Sequence, residues 1–457
     1  MRFLPAIAAI SLVLAACAPT AQVSMNSPAQ SLEGVPLPPM QSFAGRAAAP
    51  VQAGNAEIAR DFLQLEFHME SGRALPRFTR FEGPITVAMT GDIPPSAHAD
   101  LGRVMQRMRQ EAGIDIRPAV TGQASVTIDF QPRAAMRRAV PTAACFVVPN
   151  VSSFAEYRSA RGSGRTDWAL LERRDRVAIV VPSDTAPQEV RDCLHEELAQ
   201  AIGPLNDLYH LSDSVFNDDN FHTVLTGFDM LVLRVHYDPA LSSGMTQAEV
   251  AARLPSILAR LNPSGEGRPS GTPTALSPRP WVEAVSTALS PRGGDRSRIA
   301  GAERMLAIAH AQGWQDSRLA FSWFALGRAQ VGGDPAAATR AFLEARAIWQ
   351  RLPGGAVRTA HVDMQLAAFA LAEGRFAEAL ALTDRAIPVV DSAQNAALLA
   401  TLLMMRSEAN AALGRDAQAR EARLDSLGWA RYGFGTDALV RARLSDIAGL
   451  AAAGRRG

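Results

Sequence analysis

The sequence predicts an α+β domain followed by an all-α domain. Three observations carry that expectation. Between about residues 55 and 260, strand-like and helix-like segments interleave; from Asn262 to Arg296, Pro, Gly, Ser and Arg dominate; beyond that the chain turns Ala-rich and helical, with a short motif returning at a nearly constant interval. The 457 residues, 47% of them hydrophobic, are enough for two or three cores. The expected boundaries are 1–17, 18–54, 55–261, 262–297 and 298–457.

Arg2 and the apolar run Leu4–Ala16, too short to span a bilayer, read as a secretory signal peptide. The end of that run, Leu14-Ala15-Ala16-Cys17, resembles a bacterial lipobox. The resemblance implies lipidation of Cys17 and a membrane anchor facing the periplasm, with Ala18 favouring the outer membrane. Acyl chains anchor stably at about 0.8 kcal/mol per buried CH₂. Residues 18–54, rich in Ala, Pro, Ser and Gln, read as a flexible tether. An exported chain sits in an oxidising compartment, so Cys145 and Cys193 are expected to pair, two buried thiols being the alternative.

The first ordered element is an amphipathic helix over Ala56–Phe67, with Ile58, Phe62 and Leu65 at helical spacing. A strand at Ile85–Met89 and a helix near Ser96–Glu111 follow. Val126–Phe130 alternates with period two, which predicts a half-exposed or edge strand. Cys145–Val148 and Val177–Val181 are short apolar runs and read as buried strands. Arg158–Arg176, locally basic but studded with Gly and acids, reads as a mobile surface loop. A helix is expected over Pro187–Ile202, and Thr246-Gln247-Ala248-Glu249 is a capping-box pattern opening the last helix of the domain. Residues 262–297 read as a linker with one helical island around Trp281–Leu289.

In the helical part, Gly333-Asp334-Pro335-Ala336-Ala337-Ala338 is echoed at Gly374 and again at Gly414, steps of 41 and 40 residues. Trp323, Leu326 and Gly327 stand one helix earlier. The pattern resembles tetratricopeptide-like repeats over roughly residues 300–430, although the period exceeds the standard one. A non-repeating helical bundle is the alternative. The resemblance implies a protein or peptide partner.

Composition closes several routes. The net charge of +1 gives no electrostatic footprint for nucleic acid, and no nucleic-acid partner is expected. All 46 basic residues are Arg, which excludes lysine Schiff-base chemistry and a P-loop lysine. Asn217-Asp218-Asp219-Asn220 lacks the closing Glu of an EF-hand and reads as a capped, solvated turn.

The densest polar run is His195-Glu196-Glu197-Leu198-Ala199-Gln200, continuing through Gly203 to Asn206-Asp207. A zincin needs histidines at i and i+4, but Ala199 stands four residues after His195. On a helical wheel Glu197 falls about 20° from Val190 on the apolar stripe, whereas His195 is about 160° from Glu197. His195 is therefore expected to be solvated or to stand behind the site. Shifted by one residue, Glu196-Glu197-x-x-Gln200-x-x-Gly203-x-x-Asn206-Asp207 has the spacing of the metzincin helix. Ser214-Val215-Phe216 is similar to a Met-turn with Phe216 in the methionine's place, and Leu225–Pro239 is similar to the helix that ends such a domain. Cys145–Val148, the Glu-Glu-x-x-Gln helix, Ser214–Asp218 and Asp229–Met245 also resemble the bacterial domain of unknown function 2927, over about residues 60–250; that family brings no established activity.

The departures from the metzincin pattern bear on the chemistry. Glu196, Gln200 and Asn206 replace all three histidines, and only Glu197 matches, at the general-base position. Zinc favours imidazole and thiolate over these harder oxygen donors. No cofactor is expected, although Glu196, Gln200, Asn206 and Asp207 leave room for a divalent metal. A buried hydrogen-bond network among Glu197, Gln200, Asn206 and Asp207 is the competing, purely structural reading. The expected protein is thus an envelope lipoprotein with a degenerate, non-catalytic metzincin-like domain and a protein-binding helical module. The alternative is a metallopeptidase-like hydrolase with Glu197 as general base.

Overall fold

The computed structural model describes residues 37–45, 48–120, 123–141, 143–269 and 274–456. Cys17, the signal peptide and residues 18–36 lie outside them. Contacts divide the chain into Phe43–Leu276 and a second unit made of Ser277 onward with the described residues before Phe43. Among the described residues no helix is long and apolar enough to cross a membrane.

The first unit runs α1 (Asn55–Glu66), β1 (Ile85–Gly91), α2 (Ala97–Ala112), β2 (Ile116–Pro118), β3 (Val126–Gln131), α3 (Arg133–Ala139), β4 (Phe146–Pro149), α4 (Phe154–Ala160), β5 (Val177–Pro182), α5 (Pro187–Ile202), α6 (Gly227–His236) and α7 (Gln247–Leu261). Its five strands form one mixed sheet in the order β2-β1-β3-β5-β4. β2, β1, β3 and β5 pair in parallel, and β4 joins the β5 edge antiparallel. β5 is buried along its whole length, as its unbroken apolar run requires when both faces are covered. α5 packs against β5 and β4, while α2 packs against α5 and α6. The capping box at Thr246 and Glu249 is formed in full.

Two expectations change here. β3 is not an edge strand: it lies between β1 and β5, and Val126–Phe130 are all buried. Its alternation is real, but its polar residues find partners inside. Asp129 accepts from the Thr90 hydroxyl at 3.1 Å, the Gln131 amide at 3.0 Å and the Phe154 backbone N–H at 2.7 Å, so a buried carboxylate is tolerated in the middle of the sheet. The stretch Arg158–Arg176 is also more than a surface loop. Trp168 and Arg174 are buried, with the guanidinium 5.2 Å from the indole centroid.

The second unit is helical among its described residues: α8 (Arg279–Ala288), α9 (Asp295–Ala311), α10 (Ser317–Gln330), α11 (Pro335–Trp349), α12 (Ala356–Ala372), α13 (Phe376–Ser392), α14 (Ala396–Ala412), α15 (Asp416–Phe434) and α16 (Asp437–Gly454). Consecutive helices pack on one another, and α16 returns against α12 and α14. The three glycine motifs fall at equivalent places, each just before α11, α13 or α15. Gly374 and Gly414 have φ of 74° and 73°, a backbone state that a side chain would disfavour. Gly327 clears the Phe342 ring, whose carbon would lie 2.8 Å from an added Cβ. The helical island of the expected linker is α8, and it belongs to this unit: Trp281 is fully buried against Trp314 and donates to Ser322 Oγ at 3.3 Å. Part of the expected tether is ordered on the same unit. Gln41 N–H donates to the Gly428 carbonyl at 3.1 Å, and Arg431 reaches the Pro38 carbonyl at 2.9 Å.

Candidate functional site

The site is built on α5, which is fixed at both ends. Pro187 occupies its first turn, where a missing N–H costs nothing. Nearly two turns further, Cys193 is disulfide-bonded to Cys145, just before β4, as expected, with Cα atoms 6.0 Å apart. At the other end Arg174 donates to the carbonyls of Gln200 and Ala201, both at 2.9 Å. These are orphan acceptors at a helix terminus, where a cation is also favoured by the helix dipole. Gly203 then turns the chain. A Cβ there would meet the Ala199 carbonyl oxygen at 2.9 Å and Leu233 Cδ2 at 2.7 Å, so the close approach of α6 requires glycine.

Residues 203–226 carry no regular helix or strand, and side chains hold them instead. Asp229, fully buried in the first turn of α6, accepts from Ser214 Oγ at 2.5 Å, Val215 N–H at 3.1 Å and Thr226 N–H at 2.7 Å. Burial pushes its carboxyl up to about 6 while these donors pull the other way. Phe216 lies fully buried in the turn so fixed, and its carbonyl accepts from Leu208 N–H at 3.0 Å.

The predicted site residues separate into two groups. Glu196, Glu197, Gln200 and Asp207 come together; Asn206 does not. The Asn206 amide is 3% exposed and donates to the Gln64 carbonyl on α1 at 3.0 Å, which holds the turn rather than the cleft. Gln200 Nε2 lies 3.4 Å from Asp207 Oδ2. Glu197, 5% exposed, makes no hydrogen bond among the described residues. The closed network of the structural reading is therefore not formed. His195 is buried rather than solvated, and its Nδ1 accepts from Leu225 N–H at 3.3 Å. Burial, and then the nearby arginines, depress its pKa far below the usual imidazole range, so it serves as a neutral acceptor.

Three further residues stand near this group: Glu70, Tyr209 and Asp218. Tyr209 donates to Asp218 Oδ2 at 2.5 Å. Glu70 and Asp218 touch water yet are walled by protein, and Asp207 and Gln200 lie close enough to Glu70 to act on its carboxyl. Asp207 Oδ1 is buried without a donor among the described residues.

Burial first, then Asp218 and Glu70, push Glu196 up to about 8. Glu197 is driven well above the usual carboxylate range by burial, then by Glu196 and Glu70. Asp207 is raised well above its range by burial, then by Glu70, Glu196 and Asp218. Burial and Asp218 push Glu70 up to about 7, although water at the rim screens part of that push. No arginine or histidine pairs with any of these four among the described residues.

The donor set does not fit zinc: it offers no imidazole or thiolate, and Asn206 is already committed to α1. Among the described residues no three His, Cys, Asp or Glu side chains are placed to grip one metal ion. Glu70 was not singled out in the sequence, and Asp218 was read only as part of a solvated turn, because no spacing links them to α5; only the fold brings them there.

Comparison with curated proteins and with solved structures found no match to either. Residues 55–256 match one family, described as a protein of unknown function (DUF2927), and that segment is a domain of this family.

Proposed function

We propose that this chain is a bacterial envelope lipoprotein, held in the membrane by a lipidated Cys17, whose DUF2927 domain is a degenerate, non-catalytic metzincin-like recognition unit and whose helices dock a protein or peptide. One observation carries the non-catalytic reading: the place where a zinc hydrolase needs imidazoles holds Glu196 and Gln200, while Asn206 is spent on the Gln64 carbonyl. The order of α5, the Gly203 turn, the buried Phe216 turn and α6 supports the metzincin kinship. The glycine motifs before α11, α13 and α15 support the reading of the helices as tetratricopeptide-like repeats. Lipidation is tested by labelling cells with palmitate. The wild-type chain takes up label and fractionates with membranes, and Cys17→Ser does neither; a labelled or still membrane-bound variant overturns the anchor.

One observation favours a hydrolase as the second reading: Glu197 is buried, unpaired and surrounded by other carboxyls. A general base must be ionised, and burial, then Glu196 and Glu70, favour the protonated form of Glu197. Peptide hydrolysis by the full chain is therefore expected to stay at the buffer rate, with Glu197→Gln indistinguishable from wild type. Turnover abolished by that substitution would establish the hydrolase instead.

A further inference from the structure

Over the whole chain 46 basic and 45 acidic residues nearly balance, but they are not evenly spread. Between Pro132 and Thr166 six arginines stand against a single acid, Glu156. Glu156 is already committed to Arg165, Arg176 and the Ser152 backbone N–H, and Arg133 pairs with Glu189. That leaves Arg137 and Arg138 on α3, Arg158 on α4 and Arg161 just after it. All four are exposed, and none pairs with an acid among the described residues.

The fold gathers them over one face of the sheet. Side chains alternate along β5: Val177, Ile179 and Val181 join the core that holds Leu194 of α5, whereas Ala178 and Val180 point the other way. Over that other face, Met136 and Ala139 of α3 and Phe154 of α4 pack against Val180, and Ala160 packs with Val148 against Ala178. With these side chains turned inward, the four arginines are left outside, together with exposed Ala134, Ala155 and Ser159. From this placement we infer that the outer surface of α3 and α4 rests on an anionic phospholipid surface.

A cation in a helix's last turn is favoured by the helix dipole, which accounts for Arg137, Arg138 and Arg158 but not for the missing acids. A surface made only for water intersperses both signs. The four side chains are exposed and spread over two helices rather than buried around one point. That suits many headgroup phosphates in a plane better than a single bound phosphate, and the small residues between them let a flat surface come close. Lipid is also within reach: some twenty-five residues separate Cys17 from Phe43, where this unit begins, so an acylated chain keeps that point within about 90 Å of the bilayer. The contact is a second one, beyond the anchor proposed above, and takes only proximity from it.

The test floats the full chain, carrying Cys17→Ser to keep acylation out, with phosphatidylcholine vesicles and with vesicles containing about one-third phosphatidylglycerol. At about 0.1 M salt the anionic vesicles should take up at least about tenfold more protein than the neutral ones. The excess should vanish at about 1 M, where the screening length falls to about 3 Å. Replacing Arg137, Arg138, Arg158 and Arg161 together by Gln should remove it. The same change at Arg304, Arg340, Arg351 and Arg420, exposed arginines of the helical unit, alters net charge equally and should leave it intact. All eight side chains are exposed, so thermal melts of both variants should match the parent chain. Equal uptake by the two kinds of vesicle overturns the inference, as does an excess that the first variant keeps or the second loses. Binding of poly-glutamate without any anionic-vesicle excess also overturns it and reassigns the face to an acidic protein. Because no tested chain can be acylated at residue 17, a failed anchor leaves this result untouched, and failure here leaves the anchor standing.

Discussion

Replacing Cys145 and Cys193 by serine lowers the stability of the Phe43–Leu276 unit by roughly 4 kcal/mol, the chain-entropy value for a cross-link between residues 48 apart. For a unit of this size that corresponds to a fall of about ten degrees in Tm. The bond ties α5 to the sheet edge at β4, so α5 loosens with it, while the transition of the helical unit, whose helices hold no cysteine, stays in place. Urea melts with and without reductant check this. Reductant should shift the wild-type midpoint to that of the double serine variant, and a midpoint indifferent to both would show that α5 is held by packing alone.

The second large effect is the response to pH. Glu196, Glu197 and Asp207 bind their protons more tightly in the folded chain than in the unfolded one. Their contribution is complete below the unfolded value of 4.5 for glutamate and drains away as pH climbs through about 8, the folded value of Glu196. Stability therefore falls with rising pH across 6.5–8, by up to about 1.4 kcal/mol per unit for each titrating group, less what water in the cleft screens. Below 6.5 two buried histidines act in the opposite sense. Burial depresses His195 and His236, so both remain neutral in the folded chain while their unfolded counterparts protonate. The slope should flatten there. Thermal melts at pH 8, 7, 6.5 and 5.5 read both limbs. Glu196→Gln should raise Tm at pH 8 and make the upper limb shallower, and stability that rises between pH 6.5 and 8 would mean these carboxyls are ionised in the folded chain.

Periodicity and turn chemistry were legible wherever burial alone decided structure. The apolar run of β5, the spacing of Ile58, Phe62 and Leu65 on α1, and the Thr246–Glu249 cap each announced the element that formed. Reading failed where a polar residue was buried with a distant partner. Asp129 made β3 look half-exposed, yet three donors from β1, β3 itself and the start of α4 satisfy it. Arg174 looked like part of a basic loop, and its partners are the carbonyls ending α5. The site followed the same rule. Glu196, Glu197 and Gln200 share one helix and could be found by counting. Glu70 and Asp218 reach the cleft only through tertiary folding, and Asn206, matched by spacing, is drawn off by a carbonyl on α1.

The docking of Pro38 and Gln41 on α15 sets a length. Were Cys17 acylated as proposed, some twenty residues would lie between the bilayer and the first point where the chain grips the helices. Fully extended, such a leash covers at most about 70 Å. Helix α15 could then sweep no further than that from the lipid surface, so any protein it meets must lie in the layer next to the membrane.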